Sequence, residues 1–159
     1  MRLMVNGGWI IMPKFGIKSR ERLETCHSDL QVLFNTVIKE VDCSVTCGYR
    51  NKEDQDKAVA SGNSKAVYPE GKHNSKPSTA VDVYPYPISF KDKDLPRFYW
   101  FAGWVLAKAK ILRNVGEITH KIRWGGNWRG LNNGKIDFSY NMRKDVLDDL
   151  PHFELIPDE

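Results

Sequence analysis

The sequence has no long apolar run and no paired set of cysteines. Its three cysteines are an odd number, which argues against a disulfide framework. No apolar stretch approaches the roughly 20 residues that a membrane-spanning helix needs. Glycine and proline, at 12 and 8 residues, are too few for a collagen-like or low-complexity chain. These absences exclude a disulfide-stabilised protein, a membrane-spanning protein and a collagen-like or low-complexity chain, and they leave a globular protein.

The composition agrees with a single globular domain. The chain has 159 residues, of which 41% are hydrophobic and 28% are charged. Its formal net charge of +4 is a mild basic bias. Such a charge favours encounter with an anionic partner, either nucleic acid or bacterial cell wall, but it falls short of a dedicated DNA-binding arm.

The first eleven residues differ in character from the rest of the chain. They are apolar, yet too short for a secretory signal and without its small-residue cleavage site, so we expect no signal peptide. We interpret residues 1–11 as an extension upstream of a translation start at Met12, with an added edge strand as the alternative. Residues 12–159 then form one domain. The intact mass of the natively expressed protein tests this, and a mass that includes Met1 contradicts it.

Periodicity predicts three helices and four strands. A capping box at Ser28 and Gln31 predicts an amphipathic helix that continues to Ile38. Asn51 is a candidate cap for a helix over residues 52–61, and Asp94 for a helix that ends near residue 114. Strands are predicted at 43–47, 79–84, 121–124 and 152–156, with a long polar loop over 62–77. Helices and strands without regular βαβ alternation predict an α+β fold.

Two predicted strands place metal-binding side chains away from the core. Asp82 alternates with valines, and a carboxylate in the middle of a strand is costly to bury without a partner. His152 and Glu154 share one face of the last strand. With His73 from the long loop, Asp82 and His152 offer two histidines and a carboxylate, a set that suits zinc with an open position for water.

A further carboxylate lies close to His152 in the sequence. Asp149 precedes it by three residues, and Pro151 between them excludes a helical pair. A turn would then present Asp149 beside the metal as a general base. The spacing alone leaves open a purely structural turn with a packed His152.

Two other groups of residues imitate metal sites. Glu117 and His120 form a Glu-x-x-His pattern that is an alternative catalytic pair. Three cysteines suggest a thiolate site, but their placement and the missing fourth ligand favour buried thiols: Cys26, Cys43 and Cys47.

Five motifs in order carry a resemblance over about residues 15–155. The sequence resembles the zinc peptidases of the D-alanyl-D-alanine carboxypeptidase and L-alanyl-D-glutamate endopeptidase family, most closely its phage endolysin branch. The motifs are Gly48-Tyr49-Arg50, Ser64-Lys65, residues 71–83 with Gly-Lys-His-Asn-Ser-Lys-Pro-Ser and Ala-Val-Asp-Val, Arg123-Trp124-Gly125-Gly126, and residues 149–155 with Asp-Leu-Pro-His-Phe-Glu-Leu.

The resemblance assigns metal-binding or catalytic roles to five residues. It implies one zinc ion held by His73, Asp82 and His152, with Asp149 as the carboxylate that activates the zinc-bound water. Arg50 would bind the carbonyl oxygen as it gains charge. The implied fold is a small antiparallel sheet with helices on one side and the zinc site on its open face, as in hedgehog and D-Ala-D-Ala peptidase domains.

Three residues are candidates for contact with substrate. The resemblance implies that Ser78, beside the zinc loop, helps to hold substrate. Tyr84 and Trp124 either line a substrate groove or belong to the core. Residues 127–134 occupy the position of a calcium loop in some phage members, but they contain no carboxylate, so we expect no calcium dependence.

The resemblance implies a zinc peptidase that cuts the peptidoglycan stem peptide, most simply at the L-Ala–D-Glu bond, for lysis of a bacterial host. We expect a monomer that stays in the host cytoplasm until a holin opens the membrane and then acts on the cell wall. It would neither insert into membranes nor bind nucleic acid. The alternatives are a D-Ala-D-Ala carboxypeptidase and a non-catalytic, zinc-containing wall-binding module.

Overall fold

The computed structural model describes residues 2–5, 8–88, 91, 94–127 and 149–156. The helices within these ranges are α1 (Ile17–Glu24), α2 (Ser28–Val37), α3 (Lys52–Ala60) and α4 (Leu95–Asn114). The strands are β1 (Arg2–Val5), β2 (Gly8–Ile11), β3 (Cys43–Cys47), β4 (Ala80–Pro85), β5 (Lys121–Trp124) and β6 (His152–Ile156).

Four strands form an antiparallel sheet in the spatial order β3-β4-β6-β5. The two central strands, β4 and β6, are the ones that carry Asp82 and His152. These two residues lie directly opposite each other in the register. The α+β prediction and the predicted small antiparallel sheet are therefore confirmed, with the candidate site at the centre of the sheet.

One face of this sheet is covered by helices. The valines of β4 are buried there together with Phe153 of β6. The Phe153 ring meets Phe34 of α2 and Phe101 of α4 edge to face, with ring centroids 5.4 and 6.0 Å apart. Because side chains alternate along a strand, Asp82 and His152 lie on the other face.

The predicted elements agree with the structure within one residue at their ends, apart from one cap, and the structure adds α1, β1 and β2. The segment of α1 is strongly polar and buries Leu23, so it offers no apolar periodicity from which to predict a helix. Helix α2 begins at Ser28, whereas the prediction made Ser28 its N-cap. The cap is His27, whose Nδ1 accepts a hydrogen bond from the backbone N–H of Asp29 at 3.2 Å.

The described residues before Met12 form two paired strands. Strands β1 and β2 pair antiparallel as a separate two-stranded sheet, so they do not extend the four-stranded one as an edge strand would. A translation start at Met12 stays a prediction. Within the described ranges, no helix combines the length and apolar character needed to cross a membrane.

A single carboxylate ties the start of α2 to the connection before β5. The Asp29 Oδ2 atom accepts hydrogen bonds from the backbone N–H groups of Thr119 and His120, both at 2.9 Å. It also accepts from Thr119 Oγ1 at 3.1 Å and His120 Nδ1 at 2.8 Å. Burial acts to raise the pKa of Asp29, but these hydrogen bonds lower it from 3.8 to about 2.

The Asp29→Asn variant should lower the free energy of unfolding at neutral pH by about 2–4 kcal/mol, because a neutral amide replaces the charged acceptor and weakens its four hydrogen bonds. The folded-state pKa lies below the unfolded one, so this stabilisation is present above about pH 4 and is lost as the pH falls towards the folded value. Urea unfolding as a function of pH measures the effect. A difference between variant and wild type that stays constant down to pH 2 would contradict it.

Candidate metal and catalytic site

A β-bulge at the end of β3 brings the chain to the site. Val45 pairs with Val83, whereas Cys47 pairs with Asp82, which leaves Thr46 as the extra residue. Residues opposite each other in an antiparallel pair share a face, so the bulge turns Cys47 onto the face that carries Asp82. Strict alternation along β3 would have directed it into the core.

Three donor atoms converge on the open face of the sheet. The distances are 3.2 Å from His73 Nε2 to Asp82 Oδ1, 3.1 Å from His152 Nδ1 to Asp82 Oδ1, and 3.3 Å between the two histidine nitrogens. Tetrahedral zinc with bonds of about 2.0–2.1 Å places its donor atoms about 3.3 Å apart. The three atoms therefore fit one tetrahedral ion and leave its fourth position for another ligand.

The outer nitrogen of each histidine is held by an acceptor. His73 Nδ1 donates to the Gly48 carbonyl oxygen at 2.7 Å, and His152 Nε2 donates to Glu154 Oε2 at 3.1 Å. With protons on the outer nitrogens, the neutral rings direct their lone pairs at the carboxylate of Asp82. Three lone-pair donors facing one another require positive charge between them, and a metal ion satisfies all three at once.

The pKa shifts of Asp82 and the two histidines also indicate positive charge between these residues. Burial acts to raise the pKa of Asp82, but His73 and His152 hold it well below its usual range. Burial acts to lower the pKa of both histidines, and the Asp82 carboxylate raises it above the usual value in both. The carboxylate is therefore stabilised by positive charge at this position, which a protonated histidine or a bound cation supplies.

A glycine and a tryptophan hold the turn that precedes β6. A Cβ on Gly125 would lie 2.3 Å from the Asp149 carbonyl oxygen and 2.9 Å from the Cβ of His152, so a side chain there is excluded. The indole Nε1 of Trp124 donates to the Leu150 carbonyl oxygen at 2.7 Å. These two contacts position Asp149 beside the histidine at the start of β6.

Asp149 and Arg50 flank the donor atoms. Asp149 Oδ2 lies 3.9 Å from His152 Nδ1, and burial, with a further contribution from Asp82, raises the pKa of its carboxyl. Arg50 Nη2 lies 3.5 Å from Asp82 Oδ2. Its Nη1 donates to Gln55 Oε1 at 3.2 Å. A carboxylate and a guanidinium therefore stand on two sides of the same group of atoms.

An open cavity of about 840 Å³ leads to these residues. Tyr84 lines it, and burial raises the pKa of its hydroxyl to about 12. Ser78 is 0% exposed and donates to the Ala80 carbonyl oxygen at 2.7 Å, and Trp124 is 7% exposed in the core. Neither of these two side chains is among those that line the cavity, and contact of either with substrate stays a prediction.

The cysteines divide into two kinds. Cys26 and Cys43 are buried thiols as predicted, and burial raises the pKa of each to about 12. Cys47 differs from the prediction, because the bulge places its Sγ 3.5 Å from Arg50 Nη2 and among the metal-competent atoms of His73 and Asp82.

A second His-Asp-His group lies at the start of α2. It resembles the group of His73, Asp82 and His152 only in composition. It consists of His27, Asp29 and His120. The His27 Nδ1 atom already caps α2, and it lies 3.9 Å from Asp29 Oδ1. Asp29 Oδ2 already accepts four hydrogen bonds from Thr119 and His120. The Glu117-x-x-His120 alternative is therefore wrong, because His120 belongs to this structural group and not to the cavity.

Gln55 is a site residue that the sequence did not reveal. It is 1% exposed, and besides Arg50 it binds Asn74, Ser64 Oγ and the Ala66 carbonyl oxygen. Its helix, α3, is otherwise polar, so its sequence is typical of a solvated face. No local pattern distinguishes this amide from its neighbours.

The expected independence from calcium rests on residues 127–134. Residues 128–134 lie outside the described part of the chain. This expectation therefore stays a prediction.

Comparisons with known proteins identify a relative and a fold. The chain matches the family described as phage L-alanyl-D-glutamate peptidase over residues 11–156. The crystal structure of Serratia marcescens L-Ala D-Glu endopeptidase ChiX is similar to it, with a TM-score of 0.58, 21% sequence identity and coverage of 90% of each chain. At this identity the likeness shows a shared fold. No curated protein matches the chain.

The two histidine groups provide a matched test of metal binding. His152→Ala should reduce the metal content of protein purified with zinc from about one ion per chain to near zero, because it removes one of three donors. His120→Ala should leave that content unchanged. Elemental analysis after dialysis measures both. Loss of the ion in the His120 variant alone would contradict the assignment of the site.

Proposed function

The chain belongs to the phage L-alanyl-D-glutamate peptidase family, and on this basis we propose that it is a zinc-dependent endolysin. Its substrate is the peptidoglycan stem peptide and its scissile bond is the amide between L-Ala and D-Glu. Release through a holin-opened membrane is part of the same proposal.

The convergence of His73, Asp82 and His152 carries the proposal. Two imidazole nitrogens and one carboxylate oxygen, 3.1–3.3 Å apart, form the donor set of a catalytic zinc site with an open position. Zinc held by these residues supplies a Lewis acid that lowers the pKa of water and polarises a carbonyl. The remaining chemistry falls to Arg50 and Asp149.

Arg50 is suited to bind the carbonyl oxygen of the scissile amide. Its guanidinium is a planar fork of donors that stays charged at neutral pH. Gln55 holds Nη1, and Asp82 and Cys47 hold Nη2, so the group is oriented before substrate arrives. Fixed donors stabilise the negative charge that develops on the oxygen as the amide is attacked.

Asp149 is suited to move the proton. Its carboxyl lies beside His152 at the cavity wall, and burial raises its pKa, which makes the carboxylate a stronger base. It takes a proton from the attacking water and delivers it to the departing D-Glu nitrogen. The turn held by Trp124 and Gly125 keeps it in place for both transfers.

Digestion of purified peptidoglycan tests the bond assignment. Mass spectrometry of the products should show stem peptides that begin with D-Glu, with no release of terminal D-Ala alone. A zinc chelator should abolish these products, and added zinc should restore them. Release of D-Ala alone would identify a carboxypeptidase, binding to the wall without products would identify a binding module, and products unaffected by chelator would refute zinc.

The Asp149→Asn variant separates proton transfer from metal binding. It should lower kcat by about 10²–10⁴-fold, because the amide cannot act as the general base. Zinc content should stay near that of the wild type, since Asp149 is not among the three donors. Asp56→Asn, on the exposed surface of α3, provides the control and should retain full activity. Undiminished hydrolysis by the Asp149→Asn variant would refute the role of this carboxylate.

A further inference from the structure

Glu154 is a buried carboxylate with a different partner on each oxygen. It is 4% exposed and lies on β6, two residues after His152. Its Oε2 accepts from His152 Nε2 at 3.1 Å. Its Oε1 accepts from Arg123 Nε at 2.7 Å and also contacts Arg123 Nη2. The residue thus joins a charged side chain of β5 to the histidine at the centre of the sheet.

Strand pairing explains the contact of Glu154 with Arg123 but not its contact with His152. Arg123 and Glu154 are directly opposite in the register of β5 and β6, so their ion pair is a cross-strand contact. The contact with His152 arises within β6, because residues two apart share a face. A carboxylate that served only the cross-strand pair would need no bond to the imidazole.

The two candidate histidine ligands are held by unlike acceptors. The outer nitrogen of His73 bonds a neutral carbonyl, that of Gly48, whereas the outer nitrogen of His152 bonds a carboxylate. A carboxylate fixes the tautomer and the ring orientation, and it also makes the opposite nitrogen a stronger donor to a metal. Arg123 in turn holds that carboxylate in place with a charge-assisted bond.

We propose that Glu154, anchored by Arg123, is a positioning residue that sets the orientation and donor strength of His152 and thereby the affinity of the site for zinc. This inference rests on the zinc site of the proposed function. It assigns a role to two residues that are not among the three donors.

Zinc affinity measured by competition with a chromophoric chelator tests the inference without any assay of activity. Glu154→Ala should raise the zinc dissociation constant by about 10–100-fold. Glu154→Gln should lie between the Ala variant and the wild type, because its amide oxygen still accepts from Nε2 but carries no charge. In cobalt-substituted protein, the visible absorption bands should shift in both variants, since the ligand field of His152 changes.

The pair of Asp29 and His120 provides a matched control for any loss of stability. Asp29 Oδ2 and His120 Nδ1 lie 2.8 Å apart, so Asp29→Asn makes the same kind of change at a carboxylate bonded to a histidine. This variant should unfold more easily than the wild type and yet bind zinc with unchanged affinity. The comparison separates an effect on the metal from an effect on folding.

The outcomes distinguish this inference from the proposed function. If the wild type binds zinc and digests peptidoglycan while both Glu154 variants bind zinc as tightly as it does, the inference alone is overturned. If the wild type binds no zinc, both the inference and the proposed function are overturned. Should Glu154→Ala fail to fold, Glu154→Gln decides, because it keeps the size and the accepting oxygen of the side chain.

Discussion

The negative charge of Asp82, placed in a central strand of the sheet, is the constraint on which the rest of the site depends. A carboxylate at this position is costly unless its neighbours compensate it. Arg50 contacts it from the segment after β3, and the donor nitrogens of His73 and His152 meet it from residues 72–74 and from the adjacent strand. Elements far apart in the chain therefore meet at one carboxylate. A divalent cation shared by His73, Asp82 and His152 satisfies its negative charge most completely.

The face of the sheet on which the site lies could be predicted from the sequence, because the alternation of side chains along a strand is a local property. Asp82 between valines, and His152 with Glu154 between apolar residues, are directed to one face whatever the rest of the fold does. His73 lies in a single 3₁₀ turn (Lys72–Asn74), and Asp149 and Arg50 lie outside helices and strands, so periodicity predicts none of them. Their convergence was expected from the resemblance to a peptidase family, and the structure brings all three to the same cavity.

The features that escaped prediction are non-local or irregular. The bulge at Thr46 reverses the face of Cys47, and nothing in an alternating strand sequence marks the extra residue. Gln55 is buried because a loop folds over it, although its helix has the composition of an exposed one. Trp124 is equally compatible with a groove and a core by composition, and its contact with the turn before β6 assigned it to the core.

The close contact between Gly125 and Asp149 has a consequence for how substitutions act on the site. A Cβ at residue 125 would meet both the Asp149 carbonyl oxygen and the Cβ of His152. One added methyl group would therefore displace the proposed base and one of the three donors together. Proton transfer and metal binding are linked at this position, so no substitution here can alter one of them alone.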